Sequence, residues 1–152
     1  MKILIGIVGL FILIQGTWIY QNKPLEQSIT DGEEIYLDFC IQCHLDNGEG
    51  VSGVFPPLAK SDYLINNLEM SIRGLKYGLS GPIVVNGEQY NGIMQNQGLD
   101  DVEIADVMNY ILNNWGNEFN QVITAEQVDN ICLLYTSPSP RDATLSRMPS
   151  SA

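Results

Sequence analysis

The chain has 152 residues, of which 18 are acidic and seven are basic, and its formal charge is −11. This excess of negative charge argues against binding to nucleic acid or to anionic lipid head groups, and it favours docking to basic patches on partner proteins. The length allows one small domain, near the lower end of the sizes that fold independently, where a bound cofactor often supplies part of the core.

The chain begins with a basic residue and a long apolar run. Lys2 is followed by 12 residues, 3–14, that include no polar or charged side chain. Such a pattern is typical of an export signal, and a run of this length is short for a membrane-spanning helix. Extending the run to Tyr20 makes it 18 residues long, and Trp18 and Tyr20 favour a membrane interface. We expect residues 1–20 to direct export to the periplasm, either as a cleaved signal peptide or as a retained membrane anchor.

A first helix is predicted to begin at Thr30. Thr30 and Glu33 have the spacing of a capping box, in which two side chains bond backbone N–H groups at the start of a helix. The predicted helix places Ile35, Tyr36 and Phe39 towards one side and runs into a cysteine motif.

The motif Cys-x-x-Cys-His, formed by Cys40, Cys43 and His44, is the most informative part of the chain. Two thiols three positions apart near a helix end can each add across one vinyl group of the same porphyrin. The imidazole that follows can then reach the iron from one face. His44 is the only histidine in the chain. The motif therefore predicts a covalently attached c-type haem with His44 as an axial iron ligand.

Three other interpretations of the cysteine pair compete with haem attachment. A thioredoxin-type redox pair needs a surrounding βαβ pattern, which the sequence does not have. A zinc site needs a second pair of ligands, and a simple disulfide bond is compatible with an exported protein. The histidine after the second cysteine and the export signal favour haem attachment.

Four further elements are predicted after the motif. The proline pair in residues 55–58 disfavours helix and predicts an extended stretch. A second helix is predicted over residues 66–77, with apolar residues at helical spacing and Gly78 as its stop. The Asn-Gly pair within residues 81–91 predicts a short hairpin. Acidic residues in the first turn favour a last helix over about residues 100–116.

A second axial ligand is expected to be a methionine, because sulfur is the common partner of histidine in electron-transfer haems. Met70 and Met108 lie at helical positions, where a packing role is the simpler interpretation. Met94 lies in a predicted loop, 50 residues after His44, which is enough chain to cross a haem and return on its other face. These observations favour Met94. The complete set of methionines is Met1, Met70, Met94, Met108 and Met148.

Residues 132–152 differ from the rest of the chain. They include five Ser, three Pro and two Arg, and they resemble a translated sequencing-library adapter. A natural disordered tail has a similar composition, and in either case the segment is set aside from the fold. We expect the native C-terminus to have been lost after about residue 131, so that Cys132 has no function. The predicted organisation is a linker at 21–29, the main domain at 30–120 and a truncated extension at 121–131.

Around the motif, residues 30–117 resemble the class I mono-haem cytochromes c. Gly32 and Tyr36 are similar to the glycine and aromatic pair with which the first helix of that family packs against the last, near Tyr110. Residues 56–58, Pro-Pro-Leu, are similar to the Pro-x-Leu segment of the family. The resemblance continues in three later stretches, 90–94, 104–107 and 114–117.

The resemblance implies an all-α cytochrome c fold, in which three to five helices surround one covalently attached haem c, with a short hairpin near residues 81–91. It implies that the Pro56 carbonyl bonds the second ring nitrogen of His44 and orients the imidazole. It also implies that Leu58 packs on the haem and that Met94 is the second axial iron ligand.

The function that the resemblance implies is electron transfer, by a carrier that is not an enzyme by itself and exchanges electrons with exported or membrane-bound redox proteins. Two other functions stay open. One is a haem-bearing subunit or domain of a larger oxidoreductase complex. The other, which requires that Met94 does not bind the iron, is a haem-based sensor or ligand binder.

Overall fold

The computed structural model describes residues 23–136, with side chains to residue 133. The predicted export segment 1–20 and the end of the segment set aside, 137–152, lie outside the described residues. The described residues form six helices and four short strands. In chain order these are α1 (Leu25–Phe39), α2 (Ile41–His44), α3 (Asp62–Asn66), α4 (Leu68–Tyr77), β1 (Leu79–Ser80), β2 (Ile83–Val85), β3 (Glu88–Tyr90), β4 (Ile93–Met94), α5 (Asp101–Leu112) and α6 (Ala125–Thr136).

The all-α class is confirmed. The strands have only two or three residues each and form two antiparallel pairs, β1 with β4 and β2 with β3. The helices outnumber the predicted three to five, because α2 and α3 are single turns of four and five residues and α6 follows the predicted domain. Within residues 23–136, no helix is both long enough and apolar enough to cross a membrane.

Helix α1 begins at Leu25, so the prediction that it starts at Thr30 is wrong. Pro24 occupies the N-cap position with φ −59°, and its carbonyl accepts the N–H of Ser28. Proline suits a helix start because its φ is already helical and it has no N–H to leave unpaired. The Thr30 hydroxyl instead donates to the Glu26 carbonyl at 3.0 Å, a bond that threonine makes inside a helix.

Helix α5 begins with a true capping box. The Asp100 carboxylate accepts the N–H of Glu103, and the Glu103 carboxylate accepts the N–H of Asp100. These reciprocal bonds satisfy backbone donors that would otherwise have no partner in the first turn. The helix ends at Leu112, earlier than predicted, and the chain then turns through left-handed conformations at Trp115 (φ 53°) and Gly116 (φ 82°).

The most extensive helix–helix contact joins α1 and α5, and Gly32 lies at its closest point. A Cβ at Gly32 would overlap the Asp106 carbonyl and lie 2.9 Å from the Cβ of Tyr110. Tyr36 is fully buried beside this crossing. Its ring centroid is 5.5 Å from that of Tyr110 and 4.9 Å from that of Trp115, which are favourable separations for aromatic pairs. The packing of α1 on α5 therefore depends on a glycine at position 32.

A buried polar network lies behind this crossing. The Asp106 carboxylate accepts from the Lys23 ammonium and from the Ser28 hydroxyl, each at 2.6 Å. Asn109 donates to Ser28 Oγ at 2.9 Å and to the Ile123 carbonyl at 2.8 Å, and it accepts the N–H of Ile123 at 2.8 Å. The network ties the start of α1 and the segment before α6 to the middle of α5.

The predicted hairpin is confirmed as β2 and β3. Its turn residues Asn86 and Gly87 have φ values of 51° and 82°, the left-handed pair that a type I′ turn requires. Asp62 and Asn86 exchange two hydrogen bonds, of 3.0 and 2.7 Å, which hold the turn against the start of α3. Gly78, with φ 85°, ends α4 as predicted.

Helix α6 packs against α4 and α5 and continues past residue 131. Cys132 is buried, and the Tyr77 hydroxyl donates to its carbonyl at 3.4 Å. The segment set aside on composition therefore begins inside this helix. The conformation of these residues does not test whether they belong to the native protein. That residues 132–152 are not native stays a prediction.

Candidate functional site

One cleft in the described part of the chain opens to solvent. Ligand pockets in proteins commonly have mostly apolar walls with a few polar groups. Apolar side chains from the helices, the strands and the segment 56–58 form most of its wall. The six residues predicted for the site all line this cleft: Cys40, Cys43, His44, Pro56, Leu58 and Met94.

The cysteine motif follows directly from the end of α1. The Cys40 N–H bonds the Tyr36 carbonyl at 2.9 Å, and the His44 N–H bonds the Cys40 carbonyl at 2.9 Å. The first bond closes α1 and the second forms the single turn α2, which places the two cysteines and the histidine at one end of the cleft. Neither Cys40 nor Cys43 is in a disulfide bond. Burial raises the pKa of Cys40 to about 11, unlike the low-pKa thiols of redox motifs.

The imidazole of His44 is oriented by a backbone carbonyl. Its Nδ1 lies 2.9 Å from the carbonyl oxygen of Pro56. A carbonyl can only accept, so Nδ1 carries the proton and Nε2 keeps its lone pair in the neutral ring. Burial lowers the pKa of His44, which favours the neutral form that binds metals. The contact that the resemblance implied for Pro56 is therefore present in the structure.

The loop that carries the Pro56 carbonyl is tightly closed. Val51 and Phe55 exchange two backbone hydrogen bonds of 2.8 Å. The Gly50 N–H bonds the His44 carbonyl at 3.0 Å, which joins the loop to α2. Gly50 has φ 64°, and a Cβ there would overlap the Phe55 carbonyl. A glycine is required at this position for both reasons, and it lets the chain return Pro56 to the imidazole.

Two methionine sulfurs are available to the cleft. Met94 lies on β4, where it pairs with Leu79 of β1, and its side chain is half-buried. Met108 lies on α5 with 1% of its surface exposed, and it also lines the cleft. Met70 is 44% exposed and does not line the cleft. Met108 is a core residue, as predicted, and it also forms part of the cleft wall.

Leu58 is held between two parts of the chain. Its N–H bonds the Gly48 carbonyl at 2.7 Å, and its carbonyl accepts from the Asn117 side chain at 2.9 Å. These bonds fix the backbone on both sides of a residue whose side chain faces the cleft. Asn117, which follows α5, therefore supports the site without lining it.

Much of the cleft wall was not identified from the sequence. The residues missed share apolar character and come from elements far apart in the chain; examples are Phe39, Leu75, Val85, Met108 and Ile111. The helical periodicity of α4 and α5 marked several of these as buried. It could not separate a side chain that packs on protein from one that packs on a ligand, because both are apolar.

The fold and the donor set decide between the interpretations of the cysteine pair. The strands are short and antiparallel, so the parallel βαβ frame of a thioredoxin-type site is absent from residues 23–136. Within the same residues, no group of three or more His, Cys, Asp or Glu side chains is placed to hold a metal ion. A broad apolar cleft with two free thiols, one oriented imidazole and two thioether sulfurs fits a haem. The site thus defines a protein that binds c-type haem.

Comparison with known proteins leads to the same class. A family model described as Cytochrome c matches residues 29–115. Cytochrome c-552 of Thermus thermophilus is 41% identical over 110 residues, which cover 66% of this chain and 83% of that protein. A second cytochrome c-552 of the same species is also 41% identical over 110 residues, covering 66% of this chain and 74% of its own length.

At lower identity, the chain is also similar to part of a longer protein. The cytochrome c subunit of the quinone alcohol dehydrogenase of Gluconobacter oxydans strain 621H is 28% identical over 103 residues, which cover 66% of this chain and 21% of that subunit. The chain belongs to the cytochrome c family. It carries electrons on a covalently bound haem c and works with redox partners.

Proposed function

We propose that the chain carries one electron at a time on a haem c that is held by four of its side chains. Cys40 and Cys43 would attach the haem through thioether bonds, and His44 and Met94 would supply the two protein ligands of the iron. The observation that carries this proposal is that all four residues line one apolar cleft, with the Nδ1 of His44 bonded to the Pro56 carbonyl. The haem supplies a one-electron couple between ferrous and ferric iron.

The protein's own groups prepare this site. The Pro56 carbonyl holds the His44 ring by Nδ1 and leaves Nε2 free to bind iron, and an imidazole that donates such a bond is a stronger electron donor. The thioether of Met94 favours the reduced state and raises the potential. The apolar wall, which includes Leu58, excludes water and disfavours extra positive charge. With His44 and Met94 as iron ligands, the chain would leave no position on the metal for a substrate, and it would act as a carrier rather than as an enzyme by itself.

The redox partners are proposed to carry basic docking surfaces. Between residues 31 and 131 the chain has 16 acidic and three basic residues. A field of this sign attracts positively charged surfaces and speeds encounters at low salt. Rapid association and release suit a protein that meets a donor and an acceptor in turn.

We further propose the domain organisation and location inferred from the sequence. Residues 1–20 export the chain and either are removed or anchor it in the cytoplasmic membrane, and residues 21–29 are a linker. Residues 30–120 form the haem domain, residues 121–131 are an extension, and residues 132–152 are not native. The support for a periplasmic location is the basic and apolar start of the chain, together with a cofactor attached through thioethers.

A second candidate function is that of a haem subunit or domain in a larger oxidoreductase. The observation that favours it is the 28% identity to the cytochrome c subunit of the Gluconobacter oxydans quinone alcohol dehydrogenase. Co-purification from native membranes separates this function from that of a free carrier. A haem-based sensor or ligand binder would require an open iron site, which a cleft with two thioether sulfurs does not favour.

The ligand assignment is tested with Met94→Ala, using Met108→Leu as the matched control because both sulfurs line the cleft. The protein is expressed with haem-maturation machinery and its visible spectra are recorded in both redox states. Met94→Ala is expected to abolish the weak far-red band of a sulfur–iron bond in the oxidised protein. We expect the potential to fall by on the order of 0.1 V or more, within the about 0.8 V range that axial ligands span.

Met108→Leu should keep the far-red band, because it replaces one apolar side chain of the cleft wall with another of similar volume. The reverse result, with the band lost in Met108→Leu and kept in Met94→Ala, would assign the sulfur ligand to α5. If the unsubstituted oxidised protein has no far-red band, the proposed carrier with His44 and Met94 as iron ligands is contradicted. That result would favour the sensor or ligand binder.

A further inference from the structure

Glu88 joins two parts of the chain that are far apart in sequence. Its carboxylate accepts from the Ser52 hydroxyl at 2.6 Å and from the Tyr90 hydroxyl at 2.8 Å. Two donors thus converge on one carboxylate, and Ser52 is separated from it by 36 residues. These bonds lie at the surface, although the Tyr90 ring is buried.

On one side, the bonds hold the loop that orients His44. Ser52 and Gly53 form the tip of the loop that Val51 and Phe55 close with two backbone bonds. The residue after Phe55 is Pro56, whose carbonyl accepts from His44. Because the loop is short and closed at its base, fixing its tip also limits the positions that the Pro56 carbonyl can take.

On the other side, the bonds hold the hairpin that leads to Met94. Glu88 and Tyr90 are the first and last residues of β3, and Tyr90 pairs with Ile83 of β2. Only three residues separate Tyr90 from Met94 on β4. The same two segments meet again at Gly92, where a Cβ would be 3.6 Å from the Val54 carbonyl oxygen. Two separate contacts therefore join the Pro56 loop to the Met94 segment.

We propose that Glu88 is a positioning residue that couples the Pro56 loop to the segment carrying Met94, so that the two proposed iron ligands are held as one unit. The effect of this role on the haem rests on the proposed function. The coupling between the two segments does not, because it depends only on hydrogen bonds within the protein. Hydrogen bonds to a carboxylate are stronger than neutral ones, and exposure to water reduces their net contribution. We therefore expect removal of these bonds to increase the local opening of the two segments and to change the free energy of global unfolding little.

The coupling is tested by amide hydrogen exchange in the haem-loaded protein. Ser52→Ala removes one donor, and it keeps the charge of Glu88 and the whole sequence of the hairpin. The proposal expects exchange to become roughly threefold to tenfold faster at residues 93–94 as well as at residues 53–55. Glu88→Gln should produce the same pattern, because a neutral amide makes weaker hydrogen bonds to Ser52 and Tyr90 than the charged carboxylate does.

Glu34→Gln is the control for the lost charge, since Glu34 is exposed on α1 and makes no side-chain hydrogen bond or ion pair among the described residues. It should leave exchange at residues 93–94 unchanged. The proposal is overturned if Ser52→Ala speeds exchange only in residues 53–55. It is also overturned if Glu88→Gln and Glu34→Gln have equal effects at residues 93–94.

Binding of free imidazole to the oxidised protein gives the second measurement, because imidazole competes with a thioether for the iron. Ser52→Ala is expected to raise the apparent affinity for imidazole roughly threefold to tenfold, with the free energy of unfolding nearly unchanged. An affinity that stays within twofold of the unsubstituted protein contradicts the role in ligand positioning. If the unsubstituted protein has no far-red sulfur band, the ligand assignment fails, and hydrogen exchange alone decides whether Glu88 couples the two segments.

Discussion

The two sides of the haem cleft are built in different ways. The His44 side follows from the crossing of α1 and α5, where Gly32 allows close contact and Tyr36 is fully buried. The Met94 side rests on strands of two or three residues, and Ile93 next to the proposed ligand is 73% exposed. Segments with few buried contacts open at lower free energy than packed helices. We therefore expect the helix crossing to set global stability and the strand segment to set how readily the sulfur leaves the iron.

The largest effect is expected from Gly32→Leu, which breaks the helix crossing. The side chain would overlap the Asp106 backbone, and two packed helices cannot move apart without losing the contacts of Tyr36. We expect a loss of about 3 kcal/mol or more in the free energy of unfolding, measured with denaturant on the haem-loaded protein. Glu34→Ala on the exposed face of α1 is the control and should change it by less than about 0.5 kcal/mol. A loss below about 1 kcal/mol for Gly32→Leu would show that the crossing does not set global stability.

The next effect is expected from Asn109→Ala. Asn109 is fully buried, and it makes hydrogen bonds to Ser28 and to both backbone groups of Ile123. Its removal leaves buried donors and acceptors without partners, which should cost about 2–3 kcal/mol of unfolding free energy. Asn113→Ala, at the C-cap of the same helix, removes one partly buried bond and should cost about 1 kcal/mol or less. Equal losses for the two variants would contradict the importance of the buried network.

On the strand side, Gly87→Ala should have a smaller effect on global stability. Gly87 has φ 82° in the hairpin turn, and a left-handed conformation costs a residue with a Cβ about 1–2 kcal/mol. We expect a loss near the lower end of that range in denaturant unfolding, because the hairpin is at the edge of the fold. Because the strand segment is expected to open locally, amide exchange at residues 93–94 should become faster by more than the loss of global stability alone would produce. Gln89→Ala, an exposed change on β3, is the control and should alter neither measurement.

The smallest effect concerns pH. Hydrogen bonds from Ser52 and Tyr90 hold the pKa of Glu88 below its usual value of 4.5. A carboxylate whose pKa is lower in the folded state contributes stability that is fully present above the unfolded pKa. That contribution is lost as pH falls through the folded pKa. The difference in unfolding free energy between the unsubstituted protein and Glu88→Gln should be constant above about pH 5.5 and shrink below about pH 4.5. A difference that stays constant down to acid unfolding would mean that the carboxylate is not held by these bonds.

Elements with strong local signals were predicted well. The Asn86-Gly87 turn, the Gly78 helix stop and the acidic start of α5 follow from the backbone preferences of individual residues. The start of α1 was misplaced, because Thr30 and Glu33 match a capping pattern that also occurs by chance inside a helix. Pro24 was the better signal. A capping pattern therefore predicts a helix start reliably only when no other helix-start signal precedes it in the sequence.

The cofactor was determined by the sequence alone, because Cys40, Cys43 and His44 act within a single turn and their chemistry depends on spacing rather than on the rest of the fold. The class of protein followed from the same motif. Only the tertiary structure decided what else surrounds it: the presence of both Met94 and Met108 at one cleft, and the bonds of Glu88 to the loop that carries Pro56. Each of these joins segments far apart in the chain, and such contacts depend on how helices pack, which no local run of residues specifies.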